Sequence, residues 1–109
     1  MKPLKFTPEL CEQVLAGTKT STWRLFDDKN LQLGDDLIFI NKENLKHFGT
    51  AKITTMYTKT LGTLEDYDWK GHERFNSDEE MYATYKKYYG DRVTPETEVK
   101  IIHFDFRKD

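Results

Sequence analysis

The junction between Gly17 and Arg24 constrains the fold more than any other segment, because a helical pattern ends there and a strand-like pattern begins. Glycine enters the left-handed conformation that closes a helix without the steric penalty of a Cβ atom. The residues that follow are polar, but they include threonines and a tryptophan, which strands favour. The sequence therefore predicts a helix that stops at Gly17 and is followed closely by a β-strand.

The predicted first helix also has a recognisable start. Residues 7–9, Thr-Pro-Glu, supply a capping hydroxyl, a proline at the first helical position and an acid in the first turn. Leu10, Val14 and Leu15 then form one apolar face. This spacing predicts an amphipathic helix.

Three further segments read as strands. Leu37–Ile40 is an unbroken apolar run, as expected of a strand buried on both faces. Phe48–Lys59 is a second strand, and the polar stretch Asn41–Lys46 turns the chain between the two, so we expect a hairpin. Val99–Phe106 is the closing strand.

A second helix is predicted between the hairpin and the closing strand. Ser77 and Glu80 have the spacing of a capping box, and Gly90 closes the helix. The helical spacing predicts an inward stripe that belongs to the core rather than to a surface for stacking on a base. The members of this stripe are Met81, Tyr85, Tyr88 and Tyr89.

Length and composition predict one small domain over residues 1–109. A chain of this size buries roughly two thirds of its unfolded surface, which suffices for one core. The only cysteine, Cys11, has no partner for an internal disulfide, which favours a reducing compartment. There is no long apolar run and the first six residues are too polar for a signal peptide, so the expected location is cytoplasmic, with no membrane partner.

The order of helix, strands, helix and strand predicts an α+β fold, in which a small antiparallel β-barrel carries flanking helices. The 17 basic and 19 acidic residues give a net charge of −2. Tight binding to duplex nucleic acid rests on many lysines and arginines, so this balance argues against it. A local cationic pocket would suit a nucleoside or a single exposed base better than a long phosphate backbone.

Lys19, Thr22 and Arg24 bring an amine, a hydroxyl and a guanidinium close together in the sequence. Thr22 and Arg24 share one face of a regular strand, whereas Lys19 joins them only if it precedes the strand. An amine with a lowered pKa would then activate the hydroxyl, and the neighbouring cation would stabilise developing negative charge. The alternative is a set of solvated side chains on an edge strand.

Glu73 is a candidate acid for the same site. Gly71 permits a tight bend before it and Phe75 can anchor the segment, which leaves the Glu73 carboxylate free. The alternative is a surface acid paired with Arg74.

An ordered set of segments over most of the chain resembles the ASCH family (activating signal cointegrator homology), and the motif Lys-x-x-Thr-x-Arg is among them. The resemblance implies a PUA-like barrel of about five or six strands. It also implies a cleft between a helix and the strand that carries this motif. The matching segments are Ala16–Arg24, Leu33–Asp36, Ala51–Ile53, Leu61–Leu64, His72–Phe75 and Phe104–Phe106.

Small bacterial members of that family include amidohydrolases that remove the acetyl group from acetylated cytidine with a lysine, a threonine and a glutamate. The resemblance assigns these roles to Lys19, Thr22 and Glu73, the last after a shift of about one residue. It assigns substrate binding to three further residues of the motif, Arg24, Ser21 and Thr20.

The implied chemistry needs no cofactor: Lys19 removes the proton of Thr22, and its oxygen attacks the acetyl carbonyl on the exocyclic nitrogen of cytosine. A zinc site is disfavoured because the three histidines are scattered. Two alternatives stay open, a non-catalytic module that binds RNA or a modified nucleobase and an ASCH-type ribonuclease. The expected partner is a small nucleoside, with single-stranded RNA as the other possibility.

Overall fold

The computed structural model describes residues 1–109, which form one sheet and two α-helices. The strands are β1 (Lys2–Phe6), β2 (Ser21–Leu25), β3 (Asp36–Asn41), β4 (His47–Thr60) and β5 (Glu98–Lys108). The helices are α1 (Pro8–Ala16) and α2 (Asp78–Tyr89), and two short 3₁₀ turns cover Leu61–Thr63 and Asp66–Trp69.

The five strands form a curled half-barrel in the order β1-β3-β4-β5-β2. The α+β, PUA-like fold class predicted above is therefore confirmed. One pair of strands, β1 and β3, is parallel, whereas the other pairs are antiparallel. The sequence analysis missed β1, a short edge strand in which only Leu4 and Phe6 are buried and Pro3 is tolerated.

Helix α1 begins and ends as predicted. The Thr7 hydroxyl accepts a hydrogen bond from the Leu10 amide at 3.5 Å, and Gly17 closes the helix with φ of +80°. The predicted apolar face is wrong at Leu15, which is 45% exposed. Cys11 and Val14 are the buried residues of this helix, and Leu15 follows Val14 by one position, which turns it about 100° away from the core.

The predicted hairpin is confirmed by the antiparallel pairing of β3 with β4. The expectation that β3 is buried on both faces is wrong. Leu37 and Phe39 are fully buried, whereas Ile38 and Ile40 are half-buried. One face of this strand packs into the core and the other is only partly covered.

Helix α2 starts at a Ser77 cap, whose hydroxyl accepts a hydrogen bond from the Glu80 amide at 3.1 Å. The Glu80 carboxylate accepts from the Asn76 side chain instead of completing the capping box. Met81 belongs to the core as predicted. The prediction is wrong for Tyr88, which is 50% exposed.

Two apolar clusters lie on the two faces of the sheet. The first packs α1 against the strands around Phe39 and Ile102. The second packs α2 against β2 and β5 around Trp23 and Ile101. Consecutive residues of β5 thus point into different cores, as the alternation of a strand requires. Neither helix is long and apolar enough to span a membrane.

Candidate active site

The chain between α1 and β2 is folded back over the end of the helix. The backbone amides of Thr18 and Lys19 both donate to the Gln13 carbonyl, at 3.0 and 3.1 Å. Strand β2 begins only at Ser21, so Lys19 precedes the regular strand, as the convergence with Thr22 and Arg24 required.

Lys19 turns into the protein and is only 2% exposed. Its Nζ donates to the Ser21 carbonyl at 2.7 Å and to Oε1 of Glu73, with which it forms an ion pair. An unpaired charge in such a position would be strongly unfavourable. Glu73 is therefore the partner of Lys19, not of Arg74.

A tight turn brings Glu73 to Lys19. The amides of Thr20 and Ser21 both donate to the Gly71 carbonyl, at 2.8 and 3.0 Å. Gly71 has φ of +74°, and a Cβ atom there would lie 2.0 Å from Oγ1 of Thr20. Only glycine fits this position without strain, so the predicted bend is confirmed and its cause is contact with the start of β2.

The structure places Thr20 and Ser21, the other two predicted substrate-binding residues, in contact with this turn, and their role in binding substrate stays a prediction. Ser21 is fully buried, and its hydroxyl donates to the Lys70 carbonyl at 3.0 Å. Thr20 is exposed against Gly71. Both residues hold the turn that carries Glu73.

A cleft of about 350 Å³ opens beside this pair, between β2, the start of α1 and the second half of α2. This volume is within the range of small-molecule sites. Thr22 and Arg24 both line it, as expected for residues that share a face, and Glu73 lines it as well. Lys19 lies outside the lining, in contact with Glu73.

The Thr22 hydroxyl is close in sequence to Lys19 but makes no hydrogen bond with it; the hydrogen bonds of the Lys19 amine go to Glu73 and the Ser21 carbonyl. The structure therefore joins Lys19 to Glu73 directly, and it places Thr22 and Arg24 on the wall of the same cleft. Hydrogen bonds of catalytic groups often form only when substrate is bound.

His72 is a cleft residue that the sequence analysis missed. Its ring stacks on Trp23 with centroids 4.0 Å apart, and its Nδ1 donates to the Glu73 carbonyl at 2.7 Å. Its position next to Glu73 was the available signal, but the histidines were considered only as metal ligands. No cluster of three or more His, Cys, Asp or Glu side chains forms a metal-binding group.

The tyrosines of α2 form the opposite wall. Tyr85, Tyr88 and Tyr89 all line the cleft. The predicted core position is nevertheless confirmed for Tyr85, which is 5% exposed and packs near Trp23, and Tyr89 packs against the same apolar cluster.

No family model and no curated protein sequence matches the chain. Solved structures do. The ASCH protein of Zymomonas mobilis matches with a TM-score of 0.69 at 14% identity, over 97% of this chain and 68% of that one. The ASCH domain of Lactobacillus crispatus JV V101 matches with a TM-score of 0.67 at 15% identity, over 93% and 72%.

The chain has an ASCH-type fold. The chain is also similar to the hypothetical protein PH0355, with a TM-score of 0.74 at 24% identity over 98% of this chain and all of that one. At these identities the likeness extends to the fold alone.

Within this ASCH-type fold, burial determines the charges around the cleft. Burial lowers the pKa of Lys19, and Arg24 acts in the same direction, whereas Glu73 opposes both. Burial raises the pKa of Glu73, but the nearby His72 and the Lys19 amine outweigh it, so the Glu73 pKa lies below its usual value. Glu73 is thus ionised at neutral pH.

His72 is uncharged at neutral pH, since burial and the nearby Lys19 lower its pKa to about 4. Because Nδ1 donates to a carbonyl, the neutral ring carries its proton there and keeps Nε2 as an acceptor.

Two buried side-chain donors of this protein, Nε1 of Trp23 and Nε of Arg24, have no hydrogen-bond partner. Buried donors are almost always paired in folded proteins. Both residues line the cleft, so these donors are candidates for contact with a ligand acceptor.

Proposed function

We propose that the protein is an amidohydrolase that removes the acyl group from the exocyclic amine of N-acetylcytidine or a related acylated cytosine nucleoside. The observation that supports this most is the ion pair between buried Lys19 and half-buried Glu73, beside a cleft lined by Thr22. Thr22 is the nucleophile, Lys19 its base and Glu73 the acid.

The pair can supply a base and an acid at once. Moving one proton from Lys19 to Glu73 leaves a neutral amine and a neutral carboxylic acid, and the net charge of the buried site does not change. Burial favours this neutral form, because it penalises both charges.

The reaction then runs in two balanced steps. Lys19 takes the proton of Thr22 as its oxygen attacks the acyl carbon, and Glu73 gives its proton to the departing cytosine amine. Water next attacks the acyl-threonine ester, gives a proton to Lys19 and releases the acid, while Glu73 protonates the Thr22 oxygen after the same internal proton shift. The unpaired guanidinium of Arg24 stabilises the oxyanion of both steps.

Incubation of the purified protein with N-acetylcytidine, followed by chromatography, tests the proposal. We expect cytidine and acetate in equal amounts, with turnover lost in Glu73→Gln. Glu79→Gln is the matched control, since Glu79 lies in the first turn of α2, away from the cleft, and should retain full turnover. Absence of cytidine after long incubation at high enzyme concentration would contradict the proposal.

One observation favours a second candidate, a module that binds a modified nucleobase without turnover. The Thr22 hydroxyl has no hydrogen bond to Lys19, its proposed base, while the cleft wall is rich in tyrosine. In that case Glu73→Gln would weaken binding of N-acetylcytidine in a calorimetric titration, with no rate to lose.

A further inference from the structure

The lining of the cleft is cationic although the chain as a whole is acidic. Four basic residues line it, and Glu73 is the single acid among the lining residues. That acid is already paired with Lys19. The four basic residues are Lys5, Arg24, Lys42 and Lys87.

None of these four cations forms an ion pair with a carboxylate of the protein. Some lysines outside the cleft are paired across elements, as with Lys2 and Asp35, Lys59 and Asp68, or Lys100 and Asp27. The cleft thus holds positive charge that the protein leaves uncompensated.

The three lysines converge from different elements. Lys5 lies on β1, and Lys42 follows the neighbouring β3, where its amide donates to the Phe6 carbonyl at 2.8 Å. Lys87 comes from α2 across the cleft. All three are exposed, so their amines remain solvated and available at the rim of the cleft, whereas Lys19 is buried.

An aromatic surface accompanies them. Tyr88 is half exposed and lines the cleft, and Nζ of Lys42 lies 5.7 Å from its ring centroid. A ring face beside several cations suits a ligand that has both a planar base and a negative group.

We propose that the cleft takes its acylated cytosine in phosphorylated form, with the phosphate bound at the rim by Lys5, Lys42 and Lys87. This inference rests on the proposed function for the nature of the base, and it specifies the class of substrate. The phosphate belongs either to a free nucleotide or to a single-stranded RNA that contains the acylated residue.

The test compares kcat/KM for N-acetylcytidine, its 5′-monophosphate and a short RNA with one acetylated cytidine. At low salt, we expect kcat/KM for the preferred one of the two phosphorylated substrates to be about tenfold higher than kcat/KM for the nucleoside. This ratio should decrease as the salt concentration rises. Preference for the monophosphate or for the RNA identifies the source of the phosphate.

Substitution of each lysine by glutamine should reduce the phosphate preference about two- to fivefold, as expected for one exposed charge pair. Lys86→Gln is the matched control, because Lys86 neighbours Lys87 on α2 but lies outside the cleft lining. It should leave the preference unchanged.

Binding separates failure of this inference from failure of the proposed function. Calorimetry of Thr22→Val with cytidine and with cytidine 5′-monophosphate needs no turnover. Tighter binding of the monophosphate that Lys87→Gln weakens and Lys86→Gln does not would support the phosphate site even if no substrate is hydrolysed. Equal binding of both ligands at low salt would overturn it, whether or not N-acetylcytidine is hydrolysed.

Discussion

A lysine that is only 2% exposed needs a partner, and Glu73 is that partner for Lys19. The pair explains why two segments far apart in the sequence meet at the start of β2. Loss of either partner should therefore affect the stability of the fold differently from loss of the Thr22 hydroxyl, which forms no hydrogen bond with Lys19 or Glu73.

We expect Lys19→Met and Thr22→Val each to reduce turnover about 10²–10⁴-fold, the usual contribution of a general base. The double variant should lose little more than either single variant, because a nucleophile and its base act as a unit. Steady-state kinetics of the three variants measure this. Fully multiplicative losses would show that the two residues act separately.

The stabilities of Lys19→Met and Thr22→Val should differ. Thr22→Val should melt near the parent temperature, since no hydrogen bond is lost. Lys19→Met leaves Glu73 without its partner and should cost about 1–3 kcal/mol, less than a fully buried pair because the Glu73 side chain is 21% exposed. Adding Glu73→Gln should restore part of that loss, which melting curves of the double variant would reveal.

The spacing in the sequence predicted that Thr22 and Arg24 share a strand face, and both line the cleft, whereas Lys19 precedes the strand. It could not show where Ser21 and Thr20 lie. The Ser21 hydroxyl and the Thr20 amide both bind a turn some fifty residues later in the chain, and no local pattern reports such a contact.

Among the elements, the segment between β4 and α2 matters most for the site, since it carries His72 and Glu73. Asp68 anchors it: this residue is fully buried and accepts hydrogen bonds from the Tyr57 hydroxyl at 2.7 Å and from Lys59 at 2.9 Å. Burial raises the Asp68 pKa, but these bonds outweigh it, so the carboxylate stays ionised at neutral pH. The turn at Gly71 then contacts β2.

Gly71→Ala should displace this turn, because the new Cβ would lie 2.0 Å from Oγ1 of Thr20 and φ is +74°. We expect lower stability and a marked fall in turnover as Glu73 moves away from Lys19. Thr20→Ala in the same chain removes the nearest atom and should restore part of both, leaving the backbone strain. Gly90→Ala is a control with positive φ but nothing near its Cβ, and it should affect stability alone.

The sequence analysis located both helices and three of the five strands from periodicity and caps, and the Thr-rich segment after Gly17 supplied β2. Strand β1 was not predicted, because its five residues include a proline and two lysines and show no clear pattern of a strand. The strand also depends on β3 for pairing. The position of Tyr88 on the cleft was not predicted for a related reason. A helical stripe shows which residues face inward, but not that a cleft rather than a core lies there.

At the level of the whole molecule, His72 links the site to the stability of the fold. Folding lowers its pKa from 6.5 to about 4, first through burial and then through Lys19. The unfolded chain therefore binds one more proton than the folded protein between these pH values, so the free energy of unfolding must fall as the pH drops through this window. Below it, the carboxylates whose pKa values lie under their usual range add to the loss as they protonate, Asp68 and Glu73 among them.

We expect His72 to account for about 3 kcal/mol of the stability lost between pH 7 and pH 4. His72→Phe preserves the ring that packs on Trp23 but cannot be protonated, so its unfolding free energy should fall much less over the same range. Denaturant unfolding of both proteins at intervals from pH 7 to pH 4 measures the difference. His103→Phe is the control, because His103 is half-buried on β5, outside the cleft, and burial lowers its pKa as well. Parallel pH profiles for the parent and His72→Phe would mean that the folded protein protonates His72 as readily as the unfolded chain, and that the ring is not held neutral beside Lys19.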